Sequence, residues 1–176
     1  MHAPKVTRVT GAEFLALPET MDRVELVDGE VVVAPRPTGA HQDLVGAFYA
    51  AIRAWSLSSE TEAWVGLSPL DVRLGPGRVL QPDVFVLRGR SRRPEETPID
   101  AVPDLCVEVL SSNRVYDRVT KRLLYAQAGV AEYWVVEPGG QVERWFGDDL
   151  GRSEIVEEQL TSALLPGFEL DLAKVV

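Results

Sequence analysis

Apolar residues fall along this chain in short runs, broken at intervals by Gly, Pro, Asp and Asn. Short apolar runs between turn residues mark strands, and apolar positions recurring every three or four residues mark helices. The clearest unit runs from Leu105 to Glu137. Leu105-Cys106-Val107-Glu108-Val109-Leu110 reads as a buried strand ended by Ser111-Ser112-Asn113. A helix is expected from Asp117 to Ala128, with Asp117 as its N-cap and Gly129 at its left-handed C-terminal position. Val119, Leu123 and Ala126 are its expected inward stripe, and Lys121 lies off that stripe. Tyr133-Trp134-Val135-Val136 reads as the next strand. If the two strands are parallel neighbours, the crossover between them should be right-handed.

The rest of the chain follows the same rules. Thr10-Gly11-Ala12-Glu13 is a capping box for a helix reaching Leu17, stopped by Pro18. Val24–Val27 and Glu30–Ala34 flank Asp28-Gly29, the signature of a tight hairpin. A long helix is expected from Ala40 to Leu57, with Leu44, Phe48, Ile52 and Trp55 on one face. Further strands are expected at 62–65, 70–74 and 79–87, the last bent or restarted at Pro82. Residues 88–104 read as loop, and 141–146 and 152–157 as strands. The pattern describes one domain over 1–176, of the α/β class bordering on α+β, with a mixed central sheet flanked by helices.

Composition narrows the classes. No apolar run approaches the roughly 20 residues of a membrane span. Met1-His2-Ala3-Pro4-Lys5 has no signal-peptide core, so a cytoplasmic protein without a membrane partner is expected. The single cysteine, Cys106, excludes an intrachain disulfide. A net charge of −9 argues against an indiscriminate nucleic-acid binder. The acids concentrate beyond Glu137, however, and two basic clusters stand out: Arg88, Arg90, Arg92 and Arg93, then Arg114, Arg118, Lys121 and Arg122. Such clusters suit phosphate contact or plain solvated faces.

Candidate chemistry begins with Glu108. Side chains alternate across a sheet, so Glu108 shares a face with Cys106 and Leu110. An ionised carboxylate there needs a cation, a metal or hydrogen-bond donors. An arginine salt bridge would satisfy it. Asp83 opens another apolar strand, Asp83-Val84-Phe85-Val86-Leu87. Two carboxylates at one sheet edge suit magnesium, which takes one or two of them and fills the rest with water and phosphate. Two histidines, His2 and His41, and no Gly-x-Ser-x-Gly elbow leave no support for a serine triad.

The wording sharpens this. Gln81-Pro82-Asp83, Val107-Glu108-Val109-Leu110-Ser111, Asp117-Arg118-Val119-Thr120-Lys121-Arg122 and Tyr125-Ala126-Gln127-Ala128-Gly129 occur in that order. With Val24-Glu25-Leu26-Val27-Asp28-Gly29 and His41 opening the long helix, they resemble the Uma-two family of the restriction-endonuclease-like PD-(D/E)XK superfamily. The resemblance implies that fold and a metal-dependent endonuclease acting on nucleic acid, DNA being the first candidate. It implies Asp83 and Glu108 as metal ligands, joined by the backbone carbonyl of Val109, with Mg2+ or Mn2+ as cofactor. It makes Glu25 the acidic residue contributed by the N-terminal part of the fold, at the site's edge; His41 reads equally as a polar contact at the helix start or as a site-edge group. One position departs from the pattern: two residues after the glutamate stands Leu110 instead of lysine. Lys121 is the replacement that the resemblance suggests. The competing readings are a catalytically inactive nuclease-fold protein acting as a binding or interaction module, and a metal-dependent hydrolase of small phosphoesters. A homodimer is expected from the surplus of apolar, Trp-containing strand edges near the C-terminus.

Overall fold

The computed structural model describes residues 8–18, 20 and 22–175. The reading of Met1–Lys5 lies outside the described residues. Helix α1 (Gly11–Leu15) carries the expected capping box, with both reciprocal bonds between Thr10 and Glu13. Strands β1 (Val24–Val27) and β2 (Glu30–Val33) form the hairpin. Asp28 at φ 50° and Gly29 at φ 86° supply the two left-handed residues that the tight turn requires. Helix α2 (Gly39–Ser58) is capped by the Thr38 hydroxyl, which accepts from the His41 N–H, and buries Leu44, Phe48, Ile52 and Trp55.

Pro82 does more than bend a strand. The run expected over 79–87 is two strands in two different sheets, β5 (Arg78–Leu80) and β6 (Val84–Arg88). Proline has no N–H for a ladder, so pairing stops on either side of it. Strand β5 joins β4 (Val72–Gly75) and the hairpin in a sheet of order β2-β1-β5-β4. Strand β6 joins β3 (Ala63–Leu67), β7 (Leu105–Val109), β8 (Glu132–Val136), β9 (Val142–Phe146) and β10 (Arg152–Val156) in a sheet of order β10-β9-β8-β7-β6-β3. Strands β7 and β8 are parallel neighbours, and the other pairs of this sheet are antiparallel. A small ladder of β11 (Gln159–Thr161) and β12 (Glu169–Asp171) completes the C-terminal part.

Both faces of the six-stranded sheet are covered. On one, α2 packs Phe48, Ile52 and Trp55 against Val107, Trp134 and Val136. On the other, Leu124 and Tyr125 pack with Phe85, Cys106 and Tyr133. Trp134 is wholly buried, edge-on to Phe48. The outer strand β10 exposes Arg152 and Glu154, charges of the kind that blunt an open edge.

The segment after β7 corrects the sequence reading. Helical geometry begins at Arg114, and Asn113 makes the entry: its carbonyl accepts from the Asp117 N–H. Asp117 is therefore inside the helix and is not its N-cap. Its carboxylate turns inward and accepts from the Ser111 N–H at 2.9 Å and hydroxyl at 2.7 Å. Tyr116–Lys121 forms a π-helical turn, followed by α3 (Arg122–Ala128), which closes at Gly129 with φ 92°. The inward face is Asp117, Lys121, Leu124 and Tyr125. Val119 and Leu123 are 48% and 47% exposed, so the expected stripe points largely outward. Lys121 finds its partners on the distant strands β1 and β7, and Asp117 finds its own in the turn before the helix, neither of which helical periodicity registers.

Candidate active site

The break at Pro82 sets the end of β5 and the start of β6 beside β1 and β7. Val84 pairs with Val107 and Phe85 with Cys106. One further step of that register brings Asp83 opposite Glu108, on the same face. Asp83 Oδ2 accepts from the Val109 N–H at 2.9 Å and lies 3.3 Å from His41 Nε2. Asp83 Oδ1 accepts from Arg23 Nη1 at 2.7 Å. Glu108 Oε1 accepts from the Tyr125 hydroxyl at 2.6 Å and lies 2.8 Å from Lys121 Nζ. Glu25 Oε1 accepts from the Gln81 N–H at 2.9 Å and lies 3.3 Å from Lys121 Nζ. The Tyr116 hydroxyl donates to Glu25 Oε2 at 3.1 Å.

The residues singled out in the sequence thus meet. Asp83, Glu108, Lys121, Glu25 and His41 line one cleft of about 310 Å³, with the Val109 backbone beside Asp83. Glu25, expected at the edge, is fully buried at the centre. Lys121 is 3% exposed, so it is an interior residue and does not pair with Asp117 across the helix surface. Leu110 is buried beside them, in the position that the usual lysine would take. Two members went unrecognised. Tyr125 stood in a quoted motif without a role. Arg23 carried no signal except its place just before the strand that holds Glu25. Its Nη2 lies 3.9 Å from both Glu25 Oε1 and Glu108 Oε2, and also donates to the Gln81 carbonyl.

Electrostatics follow from this packing. Burial pushes Glu108 up to about 8 against the opposing pull of Lys121, and the Asp83 and Glu25 charges add to the rise. Burial acts on Asp83 in the same direction, but the His41 hydrogen bond and the Arg23 charge outweigh it and hold that carboxyl below its ordinary range. Lys121 stays charged because Glu108 and Glu25 outweigh its own burial. Glu25, Asp83 and Glu108 face the cations of Arg23 and Lys121, and with Glu108 raised to about 8 its own negative charge is added only toward that pH or when a further cation joins the cluster. Among the described residues no three His, Cys, Asp or Glu side chains form a ready-made metal cage. Magnesium does not require one, since water and substrate fill most of its shell.

The two basic clusters part company. Arg114 and Arg118 both bind Glu137, and Arg122 stacks 4.2 Å over the Trp145 ring. Arg88, Arg90, Arg92 and Arg93 are exposed.

A family model, Uma2, described as putative restriction endonuclease, matches residues 12–173. The chain belongs to this family. The Uma2 match takes in every site residue named above, from Arg23 to Tyr125. The fold agrees with the crystal structure of a putative nuclease belonging to DUF820 from Anabaena variabilis, at a TM-score of 0.76. The two share 24% sequence identity, and the match covers 95% of this chain and 97% of that one. Among curated proteins nothing matches the chain. Among the described residues no helix is long and apolar enough to cross a membrane.

Proposed function

We propose that this Uma2 member is a metal-dependent endonuclease that hydrolyses phosphodiester bonds in nucleic acid, DNA first among them. The reading rests on one observation: Lys121, reaching in from the following helix, approaches Glu108 where Leu110 cannot. Asp83 and Glu108 would hold Mg2+ or Mn2+ with the Val109 carbonyl. The donor set suits a hard cation, because it consists of carboxylate and carbonyl oxygens. An extended residue points its N–H and C=O to the same side, and the Val109 N–H points at Asp83. When bound, the metal supplies Lewis-acid activation of the phosphate and of water.

The chain's own residues do the rest. Lys121, held charged, meets the negative charge that builds on phosphate oxygens as the bond breaks. It is a fixed cation and not a proton acceptor. Tyr125 holds Glu108 Oε1 and leaves Oε2 on the side of Arg23. The exposed Arg88–Arg93 stretch is the candidate phosphate-tracking surface.

The test is cleavage of single- and double-stranded DNA and RNA with magnesium, manganese or EDTA. Cleavage that needs metal and disappears in Asp83→Asn is expected. Intact substrates under all conditions, with nucleic acid still bound, would leave a binding module on a nuclease fold.

A further inference from the structure

We infer that Arg23 is a resident counter-cation of the site, one that a divalent metal must displace in order to bind. The inference rests on the metal-dependent reading of the previous section. Each site carboxylate has one oxygen firmly taken. Asp83 Oδ2 has the Val109 N–H and His41, and Glu108 Oε1 has Tyr125 and Lys121. The oxygens left for a metal are Asp83 Oδ1 and Glu108 Oε2. Arg23 lies against both, at 2.7 Å through Nη1 and 3.9 Å through Nη2.

One guanidinium therefore sits where the metal's charge would go, bridging the two carboxylates. Without it the three carboxyl groups would share Lys121 as their sole near lysine or arginine among the described residues, and those that ionise would repel one another. Arg23 keeps the ligands assembled in the metal-free protein. Its hold is incomplete. Among the described residues its Nε is buried without an acceptor, a cost that departure would relieve. Departure gives up the Gln81 carbonyl together with the Asp83 bond that the metal would replace. Arg23 also lines the cleft and is 19% exposed, so open space adjoins it.

Displacement has a signature that simple charge repulsion lacks: the guanidinium becomes more accessible when metal arrives. The parent protein is treated with phenylglyoxal, with and without Mn2+, and modification of Arg23 is followed by peptide mass spectrometry. Calorimetry under the same conditions reports Mn2+ binding. Faster modification of Arg23 in the presence of bound Mn2+ is expected. Arg23→Met should raise Mn2+ affinity by about tenfold or more, the factor recovered if the arginine-free arrangement is populated about one tenth of the time. Mn2+ binding with unchanged or slower Arg23 modification overturns the inference and leaves the metal site standing. No Mn2+ binding in either the parent or Arg23→Met overturns both.

Discussion

Lys121 Nζ lies 2.8 Å from Glu108 Oε1, in an interior from which lysines are usually excluded. The pair stands because each charge has further company: Glu25 beside the ammonium, Tyr125 beside the carboxylate. A π-helical turn delivers the lysine, and such turns recur at functional sites.

Lys121→Met keeps the stem and removes the charge. Glu25 and Glu108 then lose their nearest cation, which should destabilise the fold by about 3–5 kcal/mol. Cleavage should fall by about two to three orders of magnitude, the usual cost of losing a donor to developing charge. Urea melts and a plasmid-nicking assay read the two effects. A variant that loses stability but still cleaves like the parent would leave Lys121 a purely structural role.

Tyr125→Phe removes one hydroxyl from the buried face of Glu108. A hydrogen bond to a charged group is worth about 1.5–3 kcal/mol, so a stability loss of that order is expected. Mn2+ affinity should fall as the carboxylate loosens. Unaltered Mn2+ affinity by calorimetry would show that Lys121 alone orients Glu108.

Stability should depend on pH through Glu108 and Asp83 in opposite ways. Glu108 is raised from 4.5 to about 8, so between those values the folded chain holds a proton that the unfolded chain has lost. Its contribution is complete below about 4.5 and shrinks as pH rises toward 8. Asp83 is lowered from 3.8, so its contribution is present above that value and is lost on acidification. In EDTA, urea midpoints of the parent should decline from pH 5 to pH 8, taken as roughly the span of the Glu108 shift. Glu108→Gln, neutral throughout, should flatten that decline. Equal slopes for the two proteins would contradict the raised carboxyl.

Glu132 provides the contrasting case of a buried carboxylate outside the cleft. It accepts from Trp134 Nε1 and Arg144 Nε, both at 2.6 Å, and from the Ser162 hydroxyl at 2.8 Å. It pairs in register with Leu105, at the opposite end of the parallel strands from Glu108. Glu132→Ala leaves Arg144 with Glu154 alone and takes the acceptor from the Trp134 Nε1–H and the Ser162 hydroxyl, at a cost of about 1–3 kcal/mol for each buried donor left unpaired. Mn2+ binding to the folded fraction should be unchanged. A loss of metal affinity would mean that the two buried carboxylate clusters are coupled.

Sequence alone determined the local elements and the two carboxylates. The Asp28-Gly29 hairpin, the Thr10 box and the α2 stripe are each written within a few neighbouring residues, because turns, caps and helix faces are short-range physics. Strand alternation also set Glu108 apart from Val107 and Val109, and motif order drew Asp83 and Lys121 to it. Tertiary structure decided the rest. It divided the 79–87 run between two sheets, placed Glu25 at the centre and brought in Arg23. It also turned Asp117 and Lys121 inward, contrary to the apolar stripe. A buried charge is stable only with its partners, and those of Lys121 come from β1 and β7. No window along the chain holds both halves of such a pair, so the inward face of that helix became legible only once the strands were in place.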